Sequence, residues 1–198
     1  MLGMSEPLVS IILPAYNHEA YVSKMLDSVF IQDYSNKELI VIDDGSTDRT
    51  GQLISEWVNQ HESELKIVYK SRSNKGISAT LNELLSMASG EYIAGASSDD
   101  YLLPGSIAMR LKYLLDNPSK KAVFGDYQVV DDSDVILHES GIGGLYKGRK
   151  ERFFDEQTLA NEILDNFSVA GPVLMFERSA FGDIGYYDES LQIEDWDM

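Results

Sequence analysis

The sequence predicts an α/β fold with a mostly parallel central sheet and helices on both faces. Between residues 9 and 130, short apolar runs alternate four times with stretches whose apolar residues recur at helical spacing. Strands that are apolar along their whole length are buried on both faces, so helices must cover both sides of the sheet. Of the 198 residues, 43% are hydrophobic, which is enough to build such a core.

The individual elements follow from this pattern in chain order. Pro14 ends the first strand, Ser46 or Thr47 is expected to cap the second helix, and Gly90 suits the end of the third helix. The predicted strands are 9–13, 39–42, 65–69, 92–96 and 122–130, and the predicted helices are 22–30, 53–58, 77–88 and 107–115.

Beyond residue 130 the regular alternation of strands and helices stops. We expect a turn at 131–134, a glycine-rich, basic and mobile loop at 141–150, a polar helix at 155–166 and a strand at 173–176. No linker of distinct composition separates this part from the rest. The sequence therefore predicts one domain over residues 1–198.

The composition of the chain argues against several classes of protein. It has 33 acidic and 16 basic side chains and a net charge of −17, which disfavours binding to nucleic acids or to anionic membrane surfaces. Because it has no cysteine, disulfides, cysteine-type zinc sites and cysteine nucleophiles are ruled out, and a cytoplasmic location is favoured. No apolar run approaches the roughly 20 residues that a transmembrane helix needs.

Two pairs of adjacent carboxylates stand where predicted strands end. Asp43 and Asp44 follow the second strand, and Asp99 and Asp100 follow the fourth. Ligands of parallel sheets bind beyond the carboxyl ends of the strands, so all four side chains are expected at one edge. Aspartates are also common in simple turns. Paired carboxylates nevertheless repel each other unless a cation or hydrogen-bond donors compensate, which favours a site for a metal-bound phosphate ligand.

Three segments of the sequence stand out in this order: VSIILPAYNHEAYVSKMLDSVFIQDYSNKELIVIDDGSTDRT, NKGISATLNELLSMASGEYIAGASSDD, and a third from Gly185 to Ser190 that is followed by Glu194 to Asp197. Together they resemble the family 2 glycosyltransferases, which have the GT-A fold with a Rossmann-like sheet. The resemblance implies an inverting, metal-dependent, hexosyltransferase-like enzyme whose expected donor is a UDP-sugar. Its acceptor would be a saccharide or a lipid-linked molecule in the synthesis of bacterial cell-surface polysaccharide.

The resemblance also implies roles for residues of this sequence. Residues 1–130 would form the nucleotide-binding half of the domain and residues 131–198 the acceptor-side half. Asp99 and Asp100 would hold a Mg²⁺ or Mn²⁺ ion on the diphosphate. Asp195, with Glu194 beside it, would be the base that takes the proton of the acceptor hydroxyl. The expected contacts with the nucleotide sugar are Pro14, Tyr16, Asp43, Asp44, Asn74, Gly76 and Asp99.

Two departures from the family pattern keep alternatives open. Ser97 stands where relatives often have the first carboxylate of the metal motif, and the chain stops at Met198, so we expect a domain truncated at its C-terminus. A non-catalytic nucleotide-sugar-binding module of the same fold is the main alternative, and a phosphoryl-transfer domain is a second. His18 is expected to be a surface residue rather than a ligand. A cytoplasmic protein of this kind could act at the inner face of the membrane.

Overall fold

The strands form one large sheet and one small hairpin in the computed structural model, which describes residues 6–166 and 171–190. In chain order they are β1 (Val9–Ala15), β2 (Lys37–Asp43), β3 (Lys66–Ser71), β4 (Tyr92–Gly95), β5 (Ala122–Phe124), β6 (Val129–Val130), β7 (Ile136–His138) and β8 (Leu174–Glu177). The large sheet has the order β3–β2–β1–β4–β8–β5. Strands β1 to β4 run parallel, and β8 is antiparallel to both of its neighbours. The prediction of a mostly parallel sheet is confirmed.

Helices cover both faces of this sheet. They are α1 (Val22–Phe30), α2 (Thr50–His61), α3 (Ile77–Met87), α4 (Ser106–Asp116), α5 (Glu156–Asn166) and α6 (Phe181–Ile184). Alternate residues of a strand point to opposite faces, so in β1 Ile11 and Leu13 join one core and Ile12 joins the other. The first core also contains buried residues of α1, α2 and α4, such as Leu26, Ile54 and Leu111. The second contains Leu84 of α3 and Phe181 of α6.

The predicted single strand over 122–130 is wrong, because the chain leaves the large sheet after Phe124. The Gly125 amide still donates to the Val173 carbonyl at 3.1 Å, but the Asp126 carboxylate then accepts from the Ile142 amide at 3.2 Å. This side-chain bond turns the chain away from the sheet. The remaining apolar residues form β6, which pairs with β7 in the separate hairpin.

The expected helix ends also differ from those in the structure. Ser46 and Thr47 do not cap α2, because both bond to Asn17 instead, and the first amide of the helix, that of Thr50, donates to the Asp48 carboxylate at 2.9 Å. Helix α3 ends at Met87 with Ala88 as its C-cap, before Gly90. At Gly90 a Cβ atom would lie 2.6 Å from the Leu8 carbonyl oxygen, so this glycine permits a close approach of two backbone segments.

The segment expected to be a mobile loop contains short helical turns in the structure. A π-helical turn covers Gly141–Leu145, and a 3₁₀ helix covers Lys150–Phe154. The polar helix expected at 155–166 is α5, and the strand expected at 173–176 is β8. None of the helices in the described residues is long and apolar enough to cross a membrane.

Candidate functional site

The carboxyl ends of the parallel strands bring the predicted site segments together. Pairing places Ala15 of β1 beside Asp43 of β2, and Asp43 beside Ser71 of β3. Just beyond β4, the Ala96 amide donates to the Ile12 carbonyl of β1 at 3.1 Å. The segments after β1, β2, β3 and β4 therefore lie along one edge of the sheet.

The Asp43 carboxylate is held in a fixed position at the end of β2. It is buried, and it accepts hydrogen bonds from the Ser46 amide and the Ser71 hydroxyl, both at 3.1 Å. Gly51 of α2 leaves space for it, because a Cβ atom there would lie 2.5 Å from an Asp43 oxygen. An ionised carboxylate has about four acceptor positions, so Asp43 keeps the capacity to accept a hydrogen bond from an N–H group of a ligand.

The Asp44 carboxylate organises the segment that follows β3. It accepts from the amides of Lys75 at 3.0 Å and Gly76 at 2.9 Å, and it pairs with the largely buried guanidinium of Arg72. Gly76 has φ +89°, a conformation that favours glycine. The side chain of Asn74 also accepts from the Gly76 amide, at 3.1 Å. Asp44 therefore bonds to protein groups that shape the loop, and Arg72 is a participant that the sequence analysis missed.

The loop after β1 is tied to the loop after β2 by side-chain bonds. Asn17 has φ +55°, its amide donates to the Ser46 hydroxyl at 2.9 Å, and its side-chain oxygen accepts from the Thr47 amide at 2.8 Å. Tyr16 is 46% exposed beside this junction, and Pro14 is half-buried within β1. The Tyr16 ring is thus available to a ligand. The expectation that Pro14 ends the first strand is wrong, because Pro14 and Ala15 still pair with Ile42 and Asp43 of β2.

The acidic pair after β4 carries unbalanced negative charge. Asp99 and Asp100 are both exposed, and the Ser97 hydroxyl donates to the Asp99 carboxylate. Desolvation and the charge of Asp99 raise the pKa of Asp100 to about 6, while His18 lowers it. A cation bound at this place would relieve the repulsion between the two carboxylates.

His18, which the sequence analysis placed on the surface, lies within this site. Its Nδ1 atom is 2.7 Å from the Ser98 hydroxyl oxygen and 4.0 Å from an Asp99 oxygen. Its amide donates to the Thr50 hydroxyl at 2.7 Å. Its side chain is 34% exposed, as expected for a residue at the surface, and the fold places it beside the candidate site because the ends of β1 and β4 come together.

The turn of the β6–β7 hairpin packs beside the same site. The Tyr21 hydroxyl donates to Asp132 at 3.1 Å, and Lys24 pairs with Asp134. The Lys24 ammonium also lies 3.7 Å from the centre of the Tyr101 ring, one residue after the acidic pair. The part of the chain after residue 130 therefore meets the strand ends at this point.

The residues at the end of β4 fit a divalent metal that a ligand helps to hold. Within residues 6–166 and 171–190, no group of three or more histidine and acidic side chains is arranged for a metal ion. Mg²⁺, however, is commonly bound through one or two carboxylates together with substrate phosphates. Asp99 and Asp100 supply such a pair, and their mutual repulsion favours a cation.

The predicted catalytic residues, Glu194 and Asp195, lie outside the described residues. The segment that leads towards them is anchored on α3. Asn82 donates to the Tyr187 carbonyl at 2.9 Å and accepts from the Tyr187 amide at 2.9 Å. Asn82 is a second positioning residue that the sequence analysis missed.

Comparisons with known proteins identify the family of this chain. The family model "Glycosyl transferase family 2" matches residues 10–185. The Escherichia coli UDP-Glc:alpha-D-GlcNAc-diphosphoundecaprenol beta-1,3-glucosyltransferase WfgD is 33% identical over 133 residues, which cover 67% of this chain and 51% of that protein.

Two solved structures share the fold. The mannosyltransferase PcManGT from Pyrobaculum calidifontis, in complex with GDP-Man and Mn²⁺, matches with a TM-score of 0.69 and 22% identity, over 96% of this chain and 50% of its own. S. aureus TarS 1-349 in complex with UDP-GlcNAc matches with a TM-score of 0.62 and 22% identity, over 94% of this chain and 50% of its own.

The matches establish the family and the fold of this chain. The family model covers most of the sequence, and the structural matches extend over nearly all of it. The chain spans between 22% and 57% of the length of the first three curated relatives. This chain belongs to glycosyl transferase family 2, and its sheet and helices have the GT-A fold.

Proposed function

We propose that this chain binds a UDP-sugar at the carboxyl edge of its parallel strands and forms the catalytic domain of an inverting glycosyltransferase. The observation that carries the proposal is the fixed Asp43 carboxylate on the same edge as the uncompensated Asp99–Asp100 pair. The Asp43 carboxylate suits the nucleobase of a nucleotide, and the Asp99–Asp100 pair suits a metal-bound diphosphate. The acceptor is a saccharide or a lipid-linked molecule, as the name of the E. coli relative states for that protein.

The uracil base of the nucleotide would bind between the loops after β1, β2 and β3. Asp43 would accept a hydrogen bond from the imide N–H of uracil, and the exposed Tyr16 ring would pack against the base. The loop that Asp44 holds presents Asn74 and Gly76 on the other side. Cytosine has an unprotonated ring nitrogen in place of this imide N–H, so the bond to Asp43 would favour uracil over cytosine.

The diphosphate would lie at the end of β4. Asp99 and Asp100 would hold a Mg²⁺ or Mn²⁺ ion there, which when bound supplies positive charge to the departing diphosphate. The sugar would then project beyond β4, towards the part of the sheet formed by β8 and β5. Asn82, through its bonds to Tyr187, would position the segment that leads to the catalytic pair.

The transfer step would use Asp195 as its base, with Glu194 beside it. The base takes the proton of the acceptor hydroxyl as that oxygen forms a bond to the anomeric carbon. The bond from the anomeric carbon to the diphosphate breaks on the opposite face, so UDP leaves and the configuration inverts. In a form of the protein that transfers the sugar to an acceptor, Asp195→Asn should lower the turnover number strongly and leave the affinity for the UDP-sugar nearly unchanged.

Thermal unfolding with nucleotides tests the proposal. UDP at 100 times its Kd, with Mn²⁺, should stabilise the chain by about 2.7 kcal/mol. For a domain of this size that corresponds to a rise in Tm of about 5–10 °C. CDP should give a smaller rise, and a chelator should remove most of the effect of UDP. No rise with any nucleoside diphosphate and Mn²⁺ would contradict the proposal.

A non-catalytic nucleotide-sugar-binding module is the second candidate. It is favoured by Ser97, whose hydroxyl bonds to Asp99 where relatives often have a carboxylate. Both candidates predict binding of UDP with Mn²⁺, so a transfer assay with a panel of UDP-sugars and acceptors separates them. If UDP is released only when an acceptor is added, the protein is not a non-catalytic binding module.

A further inference from the structure

We infer that His18 binds the diphosphate of the nucleotide sugar, with its Nε2–H group donating a hydrogen bond to a phosphate oxygen. This inference rests on the proposed function and adds a residue to it. The reason lies in the position of the ring, in the bonds that fix it and in the atom that remains without a partner.

The backbone of His18 is fixed by its neighbours in the fold. Asn17, in a left-handed conformation, is bonded to Ser46 and Thr47 of the loop after β2. The His18 amide then donates to Thr50 at the start of α2. The His18 side chain therefore projects from a backbone segment that is bonded to the loop after β2 and to the start of α2, rather than from a free surface turn.

One edge of the imidazole is also fixed. Its Nδ1 atom lies 2.7 Å from the hydroxyl of Ser98, which is buried. The Tyr21 ring packs edge-on against the imidazole at 6.3 Å between ring centres. When Ser98 donates to Nδ1, the ring carries its proton on Nε2. Among the described residues, this Nε2 atom has no hydrogen-bond partner.

The Nε2 atom of His18 lies at an acidic edge of the sheet, where a bound diphosphate would need positive charge or hydrogen-bond donors. His18 is 4.0 Å from the Asp99 carboxylate, and the same edge of the sheet holds Asp100. Two cations of the loops and helices along this edge are already paired, Arg72 with Asp44 and Lys24 with Asp134. A diphosphate held at this acidic edge would require donors from the protein as well as a metal, and Nε2–H of His18 is positioned to be one.

Two substitutions separate this role from a structural one. In His18→Asn the amide can keep the bond to Ser98 but is too short to replace Nε2. In His18→Gln the amide can reach the Nε2 position but gives up the bond to Ser98. His61→Asn is the matched control, because His61 stacks on Trp57 in α2 at 4.2 Å between ring centres, away from the strand ends.

Calorimetric titrations with UDP and with uridine, both with Mn²⁺ present, measure the effect. For His18→Asn we expect the Kd of UDP to rise about 10- to 100-fold, as for a lost hydrogen bond to a charged group. The Kd of uridine and the Tm should be unchanged, and His18→Gln should recover part of the UDP affinity. The His61→Asn variant should bind both ligands like the parent.

The possible results each decide a different point. If the parent binds UDP and His18→Asn binds it equally well, the role of His18 is overturned and the proposed function stands. If UDP and uridine weaken by the same factor, His18 holds the loop rather than the diphosphate, and the inference is again wrong. If the parent binds no UDP, the proposed function fails, and the inference fails with it.

Discussion

Glu38 provides a test of how the beginnings of the strands are held, at the edge opposite the candidate site. Its carboxylate is 1% exposed and accepts from the Ser10 hydroxyl at 2.5 Å, the Ser89 amide at 2.8 Å and the Lys66 ammonium at 2.5 Å. Ser10 in turn accepts from the Gly90 amide at 2.8 Å. One charge thus links β1, β2, β3 and the turn before β4. The substitution Glu38→Gln removes that charge and keeps the size of the side chain.

The pKa of Glu38 sets the size of the expected effect. Burial alone would raise this pKa, but the bonds from Lys66, Ser10 and Ser89 outweigh burial and lower it from 4.5 to about 2. A shift of this size makes the ionised form worth about 3 kcal/mol of folding free energy relative to the neutral form. Because the pKa is lowered in the folded state, this contribution is present above pH 4.5. It is lost as the pH falls from 4.5 towards 2.

Urea unfolding of the parent chain and of Glu38→Gln measures this contribution. At pH 7 the variant should lose about 3 kcal/mol, seen as a lower midpoint with an unchanged m value. The difference between the two chains should shrink at pH 3 and nearly vanish at pH 2. Glu56→Gln, at an exposed site on α2, is the control and should cost less than about 0.5 kcal/mol. A loss below 1 kcal/mol, or a loss equal at pH 7 and pH 3, would refute this account of Glu38.

Three further predictions concern the candidate site. Gly51→Ala should displace Asp43, since the new Cβ would lie 2.5 Å from its carboxylate, and calorimetry should show a UDP Kd at least about 10-fold higher; an unchanged Kd would count against a role for Asp43. Asp44→Asn should break the ion pair with the buried Arg72 guanidinium, which keeps its pair with Glu83, and cost about 1–3 kcal/mol in urea unfolding; a cost near zero would show that the pair with Asp44 does not hold the loop. Asp100→Asn should abolish the part of the UDP-induced rise in Tm that depends on Mn²⁺; a response to Mn²⁺ equal to that of the parent would remove Asp100 from the metal site.

The edge that holds the site could be predicted from the sequence because it depends on local patterns. Continuous apolar strands alternate with amphipathic helices, and this alternation fixes a parallel sheet whose carboxyl ends face one way. Asp43 directly follows the predicted strand over 39–42, and Asp99 comes three residues after the end of the one over 92–96, so their proximity to one edge required no knowledge of long-range contacts. The resemblance to the family supplied their expected roles, which remain predictions.

The positioning residues could not be predicted because their roles arise from contacts between distant parts of the chain. His18 and Ser98 are 80 residues apart, Arg72 and Asp44 are 28 apart, and Asn82 bonds to a residue 105 positions away. No periodicity or motif marks such a residue in advance. Each is a polar side chain whose partner is set only when helices and strands have packed.

Local sequence patterns also could not predict where the regular alternation of strands and helices ends. The run over 122–130 is apolar enough for one strand, but the Asp126 side chain bonds to a backbone amide 16 residues away and ends the pairing. Strand β8 then enters the sheet between β4 and β5, although it lies about 50 residues after β5 in the chain. An insertion of this kind depends on tertiary packing rather than on the sequence of either neighbour.

Hydrogen–deuterium exchange with and without UDP and Mn²⁺ tests the central claim most directly, because it locates the ligand as well as detecting it. At saturating UDP, exchange should slow in the segments after the four parallel strands, at residues 14–19, 43–48, 72–76 and 97–101. Exchange in α4 and β5 should stay unchanged. If UDP binds while these four segments exchange as before, the nucleotide is bound elsewhere and the assignment of the site is wrong.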